Sequence, residues 1–226
     1  RGCDHLIGNT PGIVDHLRRN GWPAERAHFV PNFVDGTTAP PVGRSELTTP
    51  TDAFVMLGLG RLHRNKAFDL AIRALVDLPD AVLWIAGKGQ ERDALGALAD
   101  QLGVAERIRW LGWRNDVAAL FAAADVLVCP SRIEPLGNVI IEAWAHGCPV
   151  VAAASAGPAW LIENEDLGLL TALEDANALA AAIGRVLGET GLASRLVDAG
   201  HAAYQARFSE PVVVAQYSEL FETVVS

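Results

Sequence analysis

From Asp52 onward the chain alternates strictly between short apolar runs and amphipathic stretches, and no other feature restricts its fold as much. The apolar runs occupy 53–59, 81–86, 107–111, 125–129, 149–153 and about 168–171. Helical periodicity fills the intervals, at roughly 66–77, 90–102, 115–124, 137–147, 158–163 and 175–189. Strands that are nearly continuous in apolar residues, each followed by a helix, belong to a parallel sheet covered on both faces. The pattern predicts an α/β fold: a doubly wound, Rossmann-like parallel sheet of about six strands with helices on both faces. In such sheets a ligand binds outside the carboxyl ends of the strands, so those ends are where chemistry is sought. Two further helices, about 192–206 and 211–224, follow the alternating part.

Before Asp52 the pattern differs. His5 to Gly8 reads as a strand, Asn9-Thr10-Pro11 as the cap of a helix reaching about Asn20, and His28 to Asn32 as a second strand. Asp35 to Asp52, carrying Pro40, Pro41, Gly43 and Pro50, reads as a linker. The expected organisation is therefore a short unit plus linker over 1–45 and a main domain over 46–226. Arg-Gly-Cys-Asp is a poor opening for a protein, which predicts that an N-terminal portion precedes it.

The chain has 27 acidic against 18 basic residues, a net charge of -9, which argues against nucleic acid as a partner. Cys3, Cys129 and Cys148 lack metal-binding spacing and read as reduced, buried thiols of a cytoplasmic protein. No metal and no cofactor is expected. His63 and His146 lack partners at ligand spacing, and Ser131 and Ser155 lack a base for a hydrolytic triad.

The first strand of the main domain ends Gly58-Leu59-Gly60-Arg61-Leu62-His63-Arg64-Asn65-Lys66. It imitates a dinucleotide fingerprint, but His63 holds the third glycine position, and the next strand ends Gly87-Lys88-Gly89 without a ribose-binding acid. A nicotinamide dinucleotide is therefore excluded, and no phosphate loop is present. Arg61 and Lys66 remain as cations able to grip phosphate, or as solvated charges on a turn. The glycines at 87 and 89 read as turn residues. After the third strand, Trp113 either stacks on a base or packs, and Asp116 reads as a helix cap.

Glu134 and Glu142 bracket Pro-Leu-Gly-Asn-Val-Ile-Ile. Pro135 disfavours the helical region at Glu134, which predicts an extended loop there and a helix starting near 136–138. Asn138, Glu142 and His146 then share one helix face, while Val139, Ile140, Ile141, Ala143 and Trp144 are buried. A glycine at a helix N-terminus makes an anion site, and carboxylates beside it accept hydrogen bonds from sugar hydroxyls.

In combination these segments resemble the donor-binding, C-terminal domain of the family 4 retaining glycosyltransferases with the GT-B fold. The segments are Gly60-Arg61 with Lys66, Gly87-Lys88-Gly89, Leu111-Gly112, Pro130-Ser131, the paired glutamates and Glu142 to Val151. The resemblance covers about 53–226. Val30-Pro31-Asn32-Phe33-Val34-Asp35 resembles the end of the acceptor domain of the same enzymes, which makes 1–45 its remnant plus linker. It implies transfer of a sugar, with retention, from a UDP-, GDP- or ADP-sugar to a glycan or lipid-linked acceptor. It also implies a polysaccharide or lipopolysaccharide product and a cytoplasmic enzyme whose full-length form touches the inner membrane face.

Residue by residue, the resemblance implies that Arg61 and Lys66 hold the diphosphate and that Glu134 meets the donor sugar. Backbone near Gly137 and Asn138 meets phosphate, Glu142 binds the ribose, and Gly60, Trp113 and Arg114 complete the site. Two departures stand out. Ala156-Gly157-Pro158-Ala159-Trp160 replaces the usual Gly-Gly-x-Pro-Glu, and Lys66-Ala67 replaces Lys-Gly, a change expected to be tolerated on a helix. A non-catalytic nucleotide-sugar module, or a GT-B-fold epimerase or phosphorylase, are the competing readings. The resemblance implies that in the whole enzyme the last helix, about Pro211 to Val224, reaches back toward the N-terminal domain; the alternative is an ordinary surface helix of this domain.

Overall fold

The computed structural model describes residues 3–225; Arg1, Gly2 and Ser226, the outermost residues of the predicted domain ranges, lie outside the described residues. Two strands, β1 (Leu6–Gly8) and β2 (Ala27–Phe29), joined by helix α1 (Pro11–Arg19), form a small parallel pair. Thr10 caps α1 as expected, its hydroxyl accepting the Ile13 amide at 3.2 Å, with Pro11 in the first turn.

The main sheet has six parallel strands: β3 (Phe54–Leu59), β4 (Ala81–Ala86), β5 (Ile108–Gly112), β6 (Val126–Cys129), β7 (Val150–Ala153) and β8 (Leu169–Thr171). Their spatial order is β5-β4-β3-β6-β7-β8. The chain builds outward from β3 in one direction, then returns to β3's other side and builds the opposite way. The crevice between the carboxyl ends of β3 and β6 is thus the topological switch point, where doubly wound sheets bind ligands.

Alternation along the strands explains the two-faced burial. Met56, Leu83, Ile85, Val126 and Val151 point to one face and pack with α2 (Phe68–Ala74), α3 (Arg92–Gln101) and α7 (Ala176–Gly188). Val55, Leu57, Trp84, Leu127 and Ala152 point to the other and pack with α4 (Val117–Ala123), α5 (Asn138–Ala145) and α6 (Ala156–Leu161). Trp84 is fully buried, and its indole N–H is satisfied by the Thr49 hydroxyl at 2.9 Å. Helix α8 (Leu192–Arg207) contributes to both cores, through Leu192 and Leu196 on the first and Tyr204 on the second.

The middle of the segment 35–52, around Arg44, is tied at the amino ends of β3 and β6. The Arg44 guanidinium donates to the Ala123 and Ala53 carbonyls and pairs with Asp125 at 2.8 Å. Cys129 and Cys148 are buried and free, but Cys3 is exposed, contrary to the reading of all three thiols as buried; it precedes β1 and has no core to enter. Helix α9 (Glu210–Val225) borders the N-terminal unit: Gln216, Glu219 and Leu220 line one cavity with Arg18, His28 and Phe29. Among the described residues no helix is long and apolar enough to cross a membrane.

Candidate active site

The switch point brings two loops together. The first leaves β3 at Gly60, whose φ is 144°, and turns through a short 3-10 helix at Arg64–Lys66. His63 organises that turn, its Nδ1 accepting the Asn65 amide at 3.2 Å, which explains a histidine where a dinucleotide fold has glycine. The second loop leaves β6 through Pro130 and Ser131 and reaches α5. Gly137, at the start of α5, has φ 88°, a conformation that costs a non-glycine residue about 1–2 kcal/mol. The loops touch at Ile133, whose amide donates to the Asn65 carbonyl at 3.3 Å.

A cavity of about 560 Å³ opens over this junction. It is lined by Gly60, Arg61, Lys66, Trp113, Arg114, Glu134, Asn138 and Glu142, together with Gly87, Lys88 and Val139. Of the nine residues predicted from sequence, eight line it. Gly137 does not; it shapes the turn, and a Cβ there would come 3.1 Å from Leu161 and 3.4 Å from Ile140.

The carboxylates occupy different environments. Glu134 is only 9% exposed, forms an ion pair with the Lys66 ammonium and accepts the Ser131 hydroxyl at 3.4 Å. The Glu142 carboxylate makes no hydrogen bond or ion pair among the described residues. Burial pushes its carboxyl above the usual range, and the Lys66 charge opposes that shift. Its helix face also borders a second cavity of about 640 Å³, where it joins Asn138 and His146, the three-residue face expected from their spacing. Burial holds His146 below its ordinary pKa.

Of the four cations at the cavity, two are committed. Lys66 holds Glu134, and Arg114 forks onto Asp116 at 2.8 and 2.5 Å. Asp116 stands at the start of α4 as expected, but its side chain serves Arg114 and caps nothing. Arg61 and Lys88 are exposed and have no side-chain partner among the described residues. Trp113 is 71% exposed, so the packing alternative is excluded; its indole N–H donates to Asn115 Oδ1 at 2.9 Å, fixing the ring. Val139, expected in the core, is only half-buried and faces the cavity.

The arrangement offers two free cations and the first amides of α5 for an anion, two carboxylates for hydroxyls, and a planar face for a ring. Sequence reasoning passed over Lys88; its signal was a second cation at a glycine-flanked strand end. It also read Gly87 as a turn residue, whereas Gly87 lies where a Cβ would come 1.8 Å from the Gly60 carbonyl oxygen. That close approach of β4's end to β3's end admits only glycine.

The buried Glu142 carboxyl makes the stability of the fold depend on pH. Its raised pKa means that the ionised form weakens the folded state near neutral pH, and the penalty is relieved as pH falls through that raised value. Glu142→Gln should therefore raise the thermal midpoint at about pH 7 by a few degrees, with the gain shrinking in acid. An equal or lower midpoint near neutrality would refute the assignment.

Residues 53–189 match the family described as glycosyl transferases group 1. The chain belongs to that family. The lipopolysaccharide core biosynthesis glycosyltransferases LpsE and LpsD of Rhizobium meliloti (strain 1021) are relatives. LpsE is 39% identical over 97% of this chain and LpsD 37% identical over 98%. In each case the chain spans 64% of the relative's length. HepE of Anabaena, solved in complex with UDP-glucose, superposes with a TM-score of 0.90 at 26% identity, covering 99% of this chain and 65% of that one. Sucrose-phosphate synthase from Thermosynechococcus elongatus superposes at 0.88 with 30% identity, covering 99% and 59%. The sheet and its flanking helices are those of GT-B glycosyltransferase structures.

Both departures of this group 1 glycosyl transferase chain have physical explanations. Ala67 is not on a helix: it precedes α2 in the left-handed region, with φ 54° and ψ 38°. Glycine would remove about 1 kcal/mol of strain there, but alanine buries a methyl worth about 0.8 kcal/mol, so the two nearly cancel. Trp160, standing at the usual glutamate position, packs edge-on against Phe29 of β2 at 5.6 Å and Phe208 at 6.2 Å. The side chain there joins the N-terminal unit to the end of α8.

Proposed function

We propose that this chain forms the donor site of a retaining glycosyltransferase, which moves a sugar from a uridine diphosphate sugar to a glycan or lipid-linked acceptor. The observation that carries the reading is the meeting of the Arg61–Lys66 loop and the Glu134–Glu142 segment around one cavity at the switch point. The diphosphate lies between Arg61, Lys66 and the first turn of α5, Glu142 takes the ribose hydroxyls, and Glu134 takes hydroxyls of the sugar. The donor class is supported by HepE, solved with UDP and with UDP-glucose, and the acceptor class by the names of LpsE and LpsD. GDP- and ADP-sugars are the alternatives on the donor side.

Departure of the nucleoside diphosphate builds negative charge on its phosphates. Cations and helix amides already aimed there lower the barrier without reorganising. An ammonium has three donors, so Lys66 can hold Glu134 and a phosphate oxygen together. Glu134, committed to Lys66 and Ser131, acts as an orienting group. Transfer then proceeds on one face, with the leaving phosphate taking the acceptor's proton, and Glu134→Gln should trap no glycosyl-enzyme. No metal or cofactor takes part in this scheme. Acceptor recognition falls largely outside residues 46–226, so the 226-residue chain alone should bind donor and transfer little. The whole enzyme is placed in the cytoplasm, touching the inner face of the membrane that carries its acceptor.

Thermal unfolding with UDP, GDP and ADP tests the reading. UDP at a hundredfold excess over its dissociation constant should add about 2.7 kcal/mol to stability. No shift with any of the three nucleotides would sink it.

A further inference from the structure

Two residues before Glu134, Arg132 is held unlike any other side chain near the site. Its guanidinium forks onto Asp69 of α2 at 2.8 and 2.7 Å and onto Glu174, in the loop after β8, at 2.5 and 2.9 Å. It also donates to the Arg64 carbonyl at 3.0 Å. Two bidentate carboxylates and one carbonyl saturate its five donors. Glu174 adopts φ 60°, an uncommon conformation for a non-glycine residue and one that surrounding contacts must hold in place. Fully engaged, Arg132 has no donor left for a ligand.

We propose that Arg132 is a positioning residue: it clamps the Glu134 loop to the Lys66 loop and so sets where the Glu134 carboxylate stands. The inference rests on the reading that Glu134 meets the donor sugar. Three ties join the two loops: Arg132 to the Arg64 carbonyl, the Ile133 amide to the Asn65 carbonyl, and Glu134 to Lys66. Behind the second loop, the Gly157 amide donates to the Glu134 carbonyl at 2.7 Å. Among the three ties, the Arg132 tie is the one whose side chain is anchored by carboxylates from outside both loops, Asp69 on α2 and Glu174 in the β8–α7 loop. Without that anchor, the Glu134 carboxylate can shift relative to the first loop, while Arg61 and Lys66 on that loop remain near the phosphates.

The test uses the whole chain with Arg132→Lys, which keeps the charge but cannot fork onto two carboxylates, and with Glu174→Gln as a milder variant. Calorimetric titration with UDP and with UDP-glucose gives a ratio of affinities. Arg132→Lys should leave UDP affinity within about twofold and weaken UDP-glucose about tenfold. Combining it with Glu134→Gln should bring no further loss, because both act through one carboxylate. Amide exchange without ligand gives the second readout: protection at Ile133 and Gly157 should fall about tenfold, with sheet amides unchanged. Unchanged protection at those two amides, or equal losses for UDP and UDP-glucose, overturns the proposal. If UDP binds but Glu134→Gln leaves the ratio untouched, the sugar-contact reading falls with it; if UDP does not bind wild type, the donor-site reading itself is wrong.

Discussion

Lys66→Ala should lower glycosyl transfer by the whole enzyme roughly 10²–10³-fold, the loss seen when one group aimed at developing charge is removed. It should also destabilise the chain, because Glu134 is almost wholly buried and Lys66 is its only ion-pair partner among the described residues. An unpaired carboxylate of that burial costs about 1–3 kcal/mol, since part of the pair remains open to solvent. The two losses are separable. Adding Glu134→Gln to Lys66→Ala removes the orphaned charge and should restore most of the stability, while transfer stays low. Denaturant unfolding and donor-dependent product formation on the four members of this cycle measure both. Lys66→Ala with normal stability would show that the pair contributes nothing to the fold, and restored transfer in the double variant would show that Lys66 is not needed by the leaving group.

Gly87→Ala should cost the fold about 4 kcal/mol, enough to leave many domains largely unfolded. Two independent effects combine. The backbone at Gly87 has φ 153°, which side chains of L-residues rarely adopt. A Cβ there would also meet the Gly60 carbonyl oxygen at 1.8 Å and the Gly60 carbonyl carbon at 2.8 Å. Backbone cannot swing aside as the tip of a side chain can, and the Gly60 amide is itself bonded to the Ala86 carbonyl at 3.0 Å. Any fraction that folds should bind UDP weakly, since relief of the clash moves Gly60 and the Arg61 loop. Gly103→Ala, at φ 70° with open space around it, provides the comparison: strain without a clash, and a loss of about 1 kcal/mol. Similar unfolding midpoints for the two variants would refute the close-approach argument.

Much of the architecture was legible because burial on both faces of a parallel strand leaves a continuous apolar run, and six such runs stand clearly apart between helices. The helix start near Gly137 and the shared face of Asn138, Glu142 and His146 follow from local rules: the restriction before proline, the glycine turn and the 3.6-residue period. Arg61, Lys66 and Glu134 could be named as polar groups after strand ends, and Glu142 as a carboxylate about one turn into the helix that follows. The partnerships could not. Nothing in the local sequence of Lys66 indicates Glu134, nor of Arg114 that Asp116 would take its charge and leave α4 without a side-chain cap. Arg132 carries no local signal of its role, because Asp69 and Glu174 lie 63 and 42 positions away.

By itself the sequence determined the kind of sheet, the helices on its faces and the residue types at its carboxyl edge, since period, burial and turn chemistry act over a few neighbours. Only the tertiary structure decided that β6 returns to lie against β3, and that return makes the site. It turns two loops about 70 residues apart into the walls of one cavity, because strand order is set by which apolar faces cover the sheet best over the whole chain, a comparison no local stretch contains.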